Sequence, residues 1–258
     1  MGDVGSARLA RSKRIQQAFI LVGGKGTRLG QLTRTIPKPL VEITEGRVFV
    51  DFVIEQLARQ GFNEIVLLAG YLGHLVRQRY AGRRIGSASL RVLIEPTEHG
   101  TGGALLTAQE MLEPQFLLLN GDSFFDIDLR SLTAEATARN YQALLALHAV
   151  EDASRYGMVD LEGERIIRFR EKNLGSCGPG LINAGVYVLA RGIIDRIRSL
   201  PCSIETDVFP ALAKEGKLAG IVHSGYFVDV GLPEALQRAR QELPALQYRP
   251  AAFLDRDS

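Results

Sequence analysis

Four short stretches in the first half of the chain are apolar, three without interruption, Ala18 to Val22, Ile65 to Ala69 and Phe116 to Leu119, and one, Leu90 to Ile94, broken only by Arg91. Runs of this length are too short for helices, and the lack of alternation marks strands covered on both faces. Between them the period changes. Val50, Val53, Ile54 and Leu57 recur at helical spacing until Gly61, and Ala104, Leu105, Ala108 and Leu112 do the same after Gly102. Strand and helix in alternation predict an α/β fold, a Rossmann-like, mainly parallel sheet flanked by helices and joined by right-handed crossovers. The second half is less regular. Ala143 to Leu147, Met158 to Leu161, Ile166 to Phe169 and Val186 to Leu189 read as further strands, partly antiparallel. They are expected to extend the sheet into a mixed one and to wall a cleft. Glu205 and Asp207 begin a helical pattern that reaches Leu212 and read as charges at a helix N-terminus.

The 258 residues suit one large domain or two small ones, and nothing between residues 15 and 243 reads as a linker or a repeat. Residues 1–14 lack apolar periodicity and read as a flexible leader; 244–258, with Pro244 and Pro250, read as a C-terminal tail. With 46% hydrophobic and 23% charged residues the composition is that of a globular protein. A net charge of +2 argues against nucleic acid as a partner. Basic residues Arg8, Arg11, Lys13 and Arg14 precede the apolar run from Ala18, yet five apolar residues do not span a membrane, and no membrane partner is expected. Two cysteines, Cys177 and Cys202, have neither disulfide-framework nor metal spacing and fit a reducing cytoplasm. The sequence leaves room for a homo-oligomer.

The first strand runs into Gly23-Gly24-Lys25-Gly26-Thr27-Arg28-Leu29. Glycine lets backbone N–H groups approach an anion closely, and Lys25 and Arg28 add charge, so the loop is a candidate phosphate cradle. A dinucleotide-binding turn would have a third glycine where Leu29 stands, and the second strand ends in Ala69-Gly70-Tyr71 without an acidic ribose ligand. A nicotinamide-dependent oxidoreductase is thereby disfavoured. A Walker A loop would follow Lys25 with Ser or Thr, and Gly26 is there. Taken alone, the glycines could equally form a tight strand-to-helix turn. Downstream, Ile36-Pro37-Lys38-Pro39-Leu40 fixes a lysine between two prolines, able to aim its ammonium back toward the loop.

Together with Glu95-Pro96 and Gly100-Thr101-Gly102-Gly103-Ala104, then Asn120-Gly121-Asp122, Glu171-Lys172, Ile182-Asn183-Ala184-Gly185-Val186-Tyr187 and Asp229-Val230-Gly231, these motifs resemble, in order, the sugar-1-phosphate nucleotidyltransferase family. The resemblance covers residues 17 to 240 and implies the nucleotide-diphospho-sugar transferase fold. Within the family, Asn120-Gly121-Asp122-Ser123-Phe124-Phe125-Asp126 and the short length look most like the heptose 1-phosphate guanylyltransferases. Mannose 1-phosphate guanylyltransferases and enzymes using UTP or dTTP are similar alternatives. A non-catalytic nucleotide-binding regulatory subunit is the alternative from another class, against which stand intact Arg28, Lys38, Asp122, Lys172 and Asp229.

The reaction implied is in-line attack by a sugar phosphate oxygen on the α-phosphorus of a nucleoside triphosphate, GTP by this resemblance, with loss of pyrophosphate. A phosphate monoester has a second pKa of about 6 and needs no general base. The four histidines, His74, His99, His148 and His223, accordingly stand in no nucleophile or base pattern. By resemblance, Asp122 and Asp229 hold Mg²⁺, which takes few protein carboxylates and keeps water and phosphate oxygens. Arg28 binds the β- and γ-phosphates, Lys38 the α-phosphate and Lys172 the phosphate of the sugar. Gly23, Gly24, Lys25, Gly26 and Thr27 cradle the nucleotide; Gly102 and Gly103 admit its base and ribose at a helix start; and Glu95 can accept from N1–H and the exocyclic amine of guanine. Asn120, Gly121, Glu171, Asn183 and Gly185 contact the sugar. Taken singly, Asp122 and Asp229 also read as turn residues, Lys172 as a solvated strand end and Glu95 as a surface glutamate.

Overall fold

The computed structural model describes residues 14–139, 141–154, 156–170 and 178–246, without the side chains of Thr27, Arg28, Gln31 and Arg170. Its strands are β1 (Gln17–Leu21), β2 (Glu42–Thr44), β3 (Arg47–Val48), β4 (Glu64–Ala69), β5 (Arg84–Ile85), β6 (Ala88–Ile94), β7 (Gln115–Asn120), β8 (Ser123–Phe125), β9 (Ala143–Val150), β10 (Met158–Glu162), β11 (Arg165–Arg170), β12 (Gly180–Ala190), β13 (Leu218–His223) and β14 (Phe227–Asp229). The helices are α1 (Phe49–Arg59), α2 (Gly73–Tyr80), α3 (Gly100–Thr107), α4 (Leu129–Ala138), α5 (Phe209–Lys214) and α6 (Pro233–Leu246).

Ten strands form one sheet in the order β10-β11-β13-β9-β12-β7-β1-β4-β6-β5. Strands β7, β1, β4 and β6 are parallel, as the short apolar runs predict. The reason is visible in the packing: Ile20 and Leu67 enter a core on one face, and their neighbours Phe19 and Val66 enter a second core on the other. Helix α1 follows its expected stripe. Its start is capped by Asp51, which accepts from the Val48 N–H at 2.9 Å, and it stops at Gly61, whose φ of 78° suits glycine alone.

The second half departs from expectation in several places. Strand β12 begins at Gly180, well before Val186, and is antiparallel to both β7 and β9. Strand β13 lies parallel to β9, and a pairing of β10 with β12 closes strands β12, β9, β13, β11 and β10 into a ring. The apolar pattern of Leu218 to Val222 is interrupted by Gly220, which obscures β13; a Cβ there would lie 2.5 Å from a Leu147 methyl. Helix α3 ends at Thr107 although Leu112 is buried, because Gln109–Met111 tightens into a 3₁₀ turn. The pattern from Glu205 to Leu212 splits into a π-helical turn, Ile204–Val208, followed by α5. Helix α6 carries Pro244 inside it and ends at Leu246, three residues into the stretch read as a tail. The leader up to residue 13 and residues 247–258 lie outside the described residues.

Candidate active site

The parallel strands β1, β4 and β7 end along one edge of the sheet, where an open α/β sheet gathers ligands. The chain leaves β1 through Gly23, pressed against the end of β4: the Tyr71 N–H donates to the Gly23 carbonyl at 3.1 Å, and a Cβ on Gly23 would lie 2.9 Å from the Gly70 nitrogen. Gly26 turns the loop with φ of 61°, and a Cβ on it would meet the Lys38 Cβ at 2.9 Å. The Pro-Lys-Pro turn is thus folded back onto the glycine loop.

The Lys38 ammonium passes the loop and ends between two carboxylates, 2.7 Å from Asp122 Oδ2 and 3.1 Å from Asp229 Oδ1. Its side chain is 6% exposed, against 41% for Asp122 and 23% for Asp229. Burial pulls the Lys38 pKa down, the two aspartates outweigh it, and the net shift is upward. Asp122 and Asp229 are far apart in sequence and meet through a small pair of strands: β8 and β14 are antiparallel with Asp229 opposite Ser123, and the Val230 N–H donates to the Asp122 carbonyl at 3.0 Å. Gly121 makes the approach possible. Its N–H donates to the Leu21 carbonyl at 2.8 Å, and a Cβ would stand 2.7 Å from that oxygen. Two converging carboxylates that already share one cation form a hard oxygen donor set, open on one side, which fits a magnesium ion completed by water and phosphate oxygens. No group of three or more His, Cys, Asp or Glu side chains suited to a metal gathers among the described residues.

A cleft of about 400 Å³ opens over this cluster. Gly23, Gly24, Gly26, Lys38, Glu95, Asn120 and Asp122 are among the residues that line it. Burial pushes the Glu95 carboxyl above its usual range, and one oxygen, Oε2, accepts from the His99 N–H at 3.2 Å. Lys25 pairs with Glu98 at 3.4 Å on the rim, so part of its charge is engaged. Among the described residues no histidine lines the cleft. Thr27 and Arg28 belong to the 3₁₀ helix Thr27–Arg34, but their side chains, like Glu171 and Lys172 as a whole, lie outside the described residues.

Two groups of expected residues are placed less directly. Gly102 and Gly103 are needed by the fold itself: a Cβ on Gly102 would lie 2.8 Å from Cys202 Sγ, and one on Gly103 would lie 2.3 Å from the His99 Cβ. The Gly102 N–H donates to the Cys202 carbonyl at 2.9 Å and so is not free for an anion. The cleft instead meets their neighbours Gly100, Thr101 and Ala104. Asn183 has a structural partner on each side of its amide, donating to the Tyr187 hydroxyl at 2.8 Å and accepting from the Gly185 N–H at 3.0 Å. Gly185, with φ of 75°, is the hinge of a bulge in β12 that packs under Asn120 and Ser123.

Glu205, which reads from the sequence only as a helix-start charge, lines the cleft and accepts from Thr101 Oγ1 at 2.8 Å. Thr101 and Gly231 line it too. Thr101 and Gly231 belong to the Gly-Thr-Gly-Gly-Ala and Asp-Val-Gly motifs, whereas Glu205 carries no local signal beyond helix-start chemistry.

The model of the family described as nucleotidyl transferase matches residues 17–245. The chain is 32% identical over 229 residues to the D-glycero-alpha-D-manno-heptose 1-phosphate guanylyltransferase of Aneurinibacillus thermoaerophilus, covering 88% of this chain and 98% of that protein. It is 35% identical over 254 residues to the mannose-1-phosphate guanylyltransferase catalytic subunit beta of Danio rerio, covering 92% of this chain and 69% of that one. Among solved structures it is similar to HddC from Yersinia pseudotuberculosis, with a TM-score of 0.77 and 30% identity over 88% of this chain and 99% of that one. HddC has also been solved complexed with GMP-PN.

Proposed function

The chain belongs to the nucleotidyl transferase family, and from that premise we propose that it transfers GMP from GTP to a heptose 1-phosphate in the cytoplasm, giving a GDP-sugar and pyrophosphate. The observation that carries this reading is the meeting of Lys38, Asp122 and Asp229 at the mouth of the glycine loop. Its support for the substrates is the heptose 1-phosphate guanylyltransferases among the relatives covered almost end to end.

Two anions must be brought together, and the residues divide that work by charge. The amides of Gly23 to Gly26 receive the triphosphate, and the side chain of Arg28 is assigned to its outer phosphates. Asp122 and Asp229 would hold magnesium, which when bound neutralises phosphate charge and stabilises the pyrophosphate as it leaves. Lys38 is held as a cation by its aspartates, and its ammonium is the point charge available to the α-phosphate. Lys172 is assigned to the sugar phosphate and Glu171 to its hydroxyls. Glu95 keeps Oε1 for guanine, where a carboxylate meets two donors that uracil and thymine lack as a pair.

Phosphate release in a pyrophosphatase-coupled assay, with each nucleoside triphosphate against heptose, mannose and glucose 1-phosphates, tests this. The expected outcome is fastest turnover with GTP and heptose 1-phosphate; no turnover with any pair would favour a binding subunit that lacks catalysis.

A further inference from the structure

Glu205 is a cleft carboxylate without a part in the reaction described above. An added negative charge beside a site for two phosphates raises the cost of binding them unless the group serves another portion of a substrate. Nor is it a loosely placed surface residue. Its Oε2 accepts from Thr101 Oγ1 at 2.8 Å and from Ser203 Oγ at 2.9 Å, and the Ile204 N–H donates to the same threonine oxygen at 2.9 Å. These bonds tie the turn Ile204–Val208 to the start of α3. The turn is π-helical, a geometry that re-aims a side chain and recurs at functional sites.

The other oxygen is differently placed. Glu205 Oε1 has the Tyr187 hydroxyl at 3.4 Å, long for an O–H donor, and a carboxylate oxygen offers two acceptor directions. The chain behind it is directional: the Gly185 N–H donates to Asn183 Oδ1, the Asn183 amide donates to the Tyr187 hydroxyl, and that hydroxyl faces Glu205. Tyr187 is fully buried, so this support does not move freely. Strand order then separates the two ends of the cleft. Glu95 follows β6, on one side of the glycine loop, whereas Asn120 and Tyr187 belong to β7 and β12 on the other.

We propose that Glu205 determines acceptor specificity by taking hydrogen bonds on Oε1 from ring hydroxyls of the sugar 1-phosphate, with Thr101, Ser203 and Tyr187 as its positioning residues. The proposal rests on the nucleotidyl transfer reading. An uncharged part of the substrate rich in O–H donors is what such an acceptor suits, since phosphate would be repelled and the nucleobase lies toward Glu95.

Steady-state kinetics on the full chain separate this from a purely structural role. Glu205→Gln keeps the size and one acceptor oxygen for Thr101 and Ser203 but places an amide where the second acceptor stood. It is expected to raise KM for heptose or mannose 1-phosphate about ten- to hundredfold, the loss typical of a charged hydrogen-bond partner, with KM for GTP within about twofold. Monodeoxy analogues of the same sugar sharpen the readout: with the recognised hydroxyl missing, wild type and variant should coincide. Thr101→Val should lower the melting temperature more than Glu205→Gln does. If Glu205→Gln does not fold, Glu205→Asp, with charge kept and reach shortened, takes its place in the same comparison. An unchanged sugar KM, or an equal deficit for full and deoxy sugars, overturns the proposal. Wild type inactive with every substrate pair would instead fell the functional reading, and this inference with it.

Discussion

Two clusters in the cleft are built on different physics. At one end Lys38, Asp122 and Asp229 form a cluster of full charges, supplied by a 3₁₀ turn, the turn between β7 and β8 and the end of β14, and held by mutual neutralisation. At the other, Glu205, Tyr187, Asn183 and Gly185 form a chain of directed hydrogen bonds, with one ionisable carboxylate at its tip. Coulomb attraction acts over several ångströms and tolerates small displacements; a hydrogen bond weakens steeply once its angle or distance is lost. The charged end is suited to phosphates that move during reaction, and the hydrogen-bonded end to a ring whose stereochemistry must be read.

The largest test of this contrast is Asp122→Asn. It should lower kcat by about a thousandfold or more at saturating magnesium, while the thermal transition persists because the Lys38 ammonium keeps Asp229. Turnover near wild type in a pyrophosphate assay would remove Asp122 from the charged end.

Next in size is Glu95→Gln, expected to raise KM for GTP about tenfold and to leave UTP within about twofold. The pH dependence gives the same residue a second signature. Burial raises its carboxyl above 4.5, so on acidification it takes up a proton earlier than a free glutamate and loses an acceptor. The preference for GTP over UTP should hold above the raised pKa and fall away as pH drops through it. For folding the sign is opposite: a raised carboxyl pKa costs stability at neutral pH, and that cost diminishes as pH falls toward 4.5. An unchanged GTP to UTP ratio across that range would discard the role.

The smallest effect is expected from Tyr187→Phe. It leaves the Asn183 amide without its partner and should cost about 1–2 kcal/mol in denaturant unfolding, with kcat within about threefold. A large loss of kcat with full stability would move the tyrosine from support into the chemistry.

Much of the charged end could be read in the amino acids. Lysine between prolines and aspartate after a buried strand are local patterns, and each is found where such a pattern would put it. What the pattern did not contain was the partnership: Lys38 passes the loop it was expected to face and ends on the aspartates. The hydrogen-bonded end was less legible. Asn183, expected at the sugar, has its amide engaged by Tyr187 and Gly185, and Glu205, which reads as a helix-start charge, lines the cleft. Gly102 and Gly103 looked like openings for a ligand, and it is Cys202 and His99 that fill the space beside them.

Local patterns of amino acids already specify the parallel half of the sheet, helix α1 and the turns around Lys38 and Asp122. All of these follow from periodicity, from the conformational freedom of glycine and from its loss at proline, which act within a few residues. Long-range packing is what brings Asp229 beside Asp122, makes β12 bulge at Gly185, and carries Glu205 to Thr101 across more than a hundred residues of chain. Those meetings depend on strand order and register, which are set by how whole elements bury their faces together; no local window of residues contains that information.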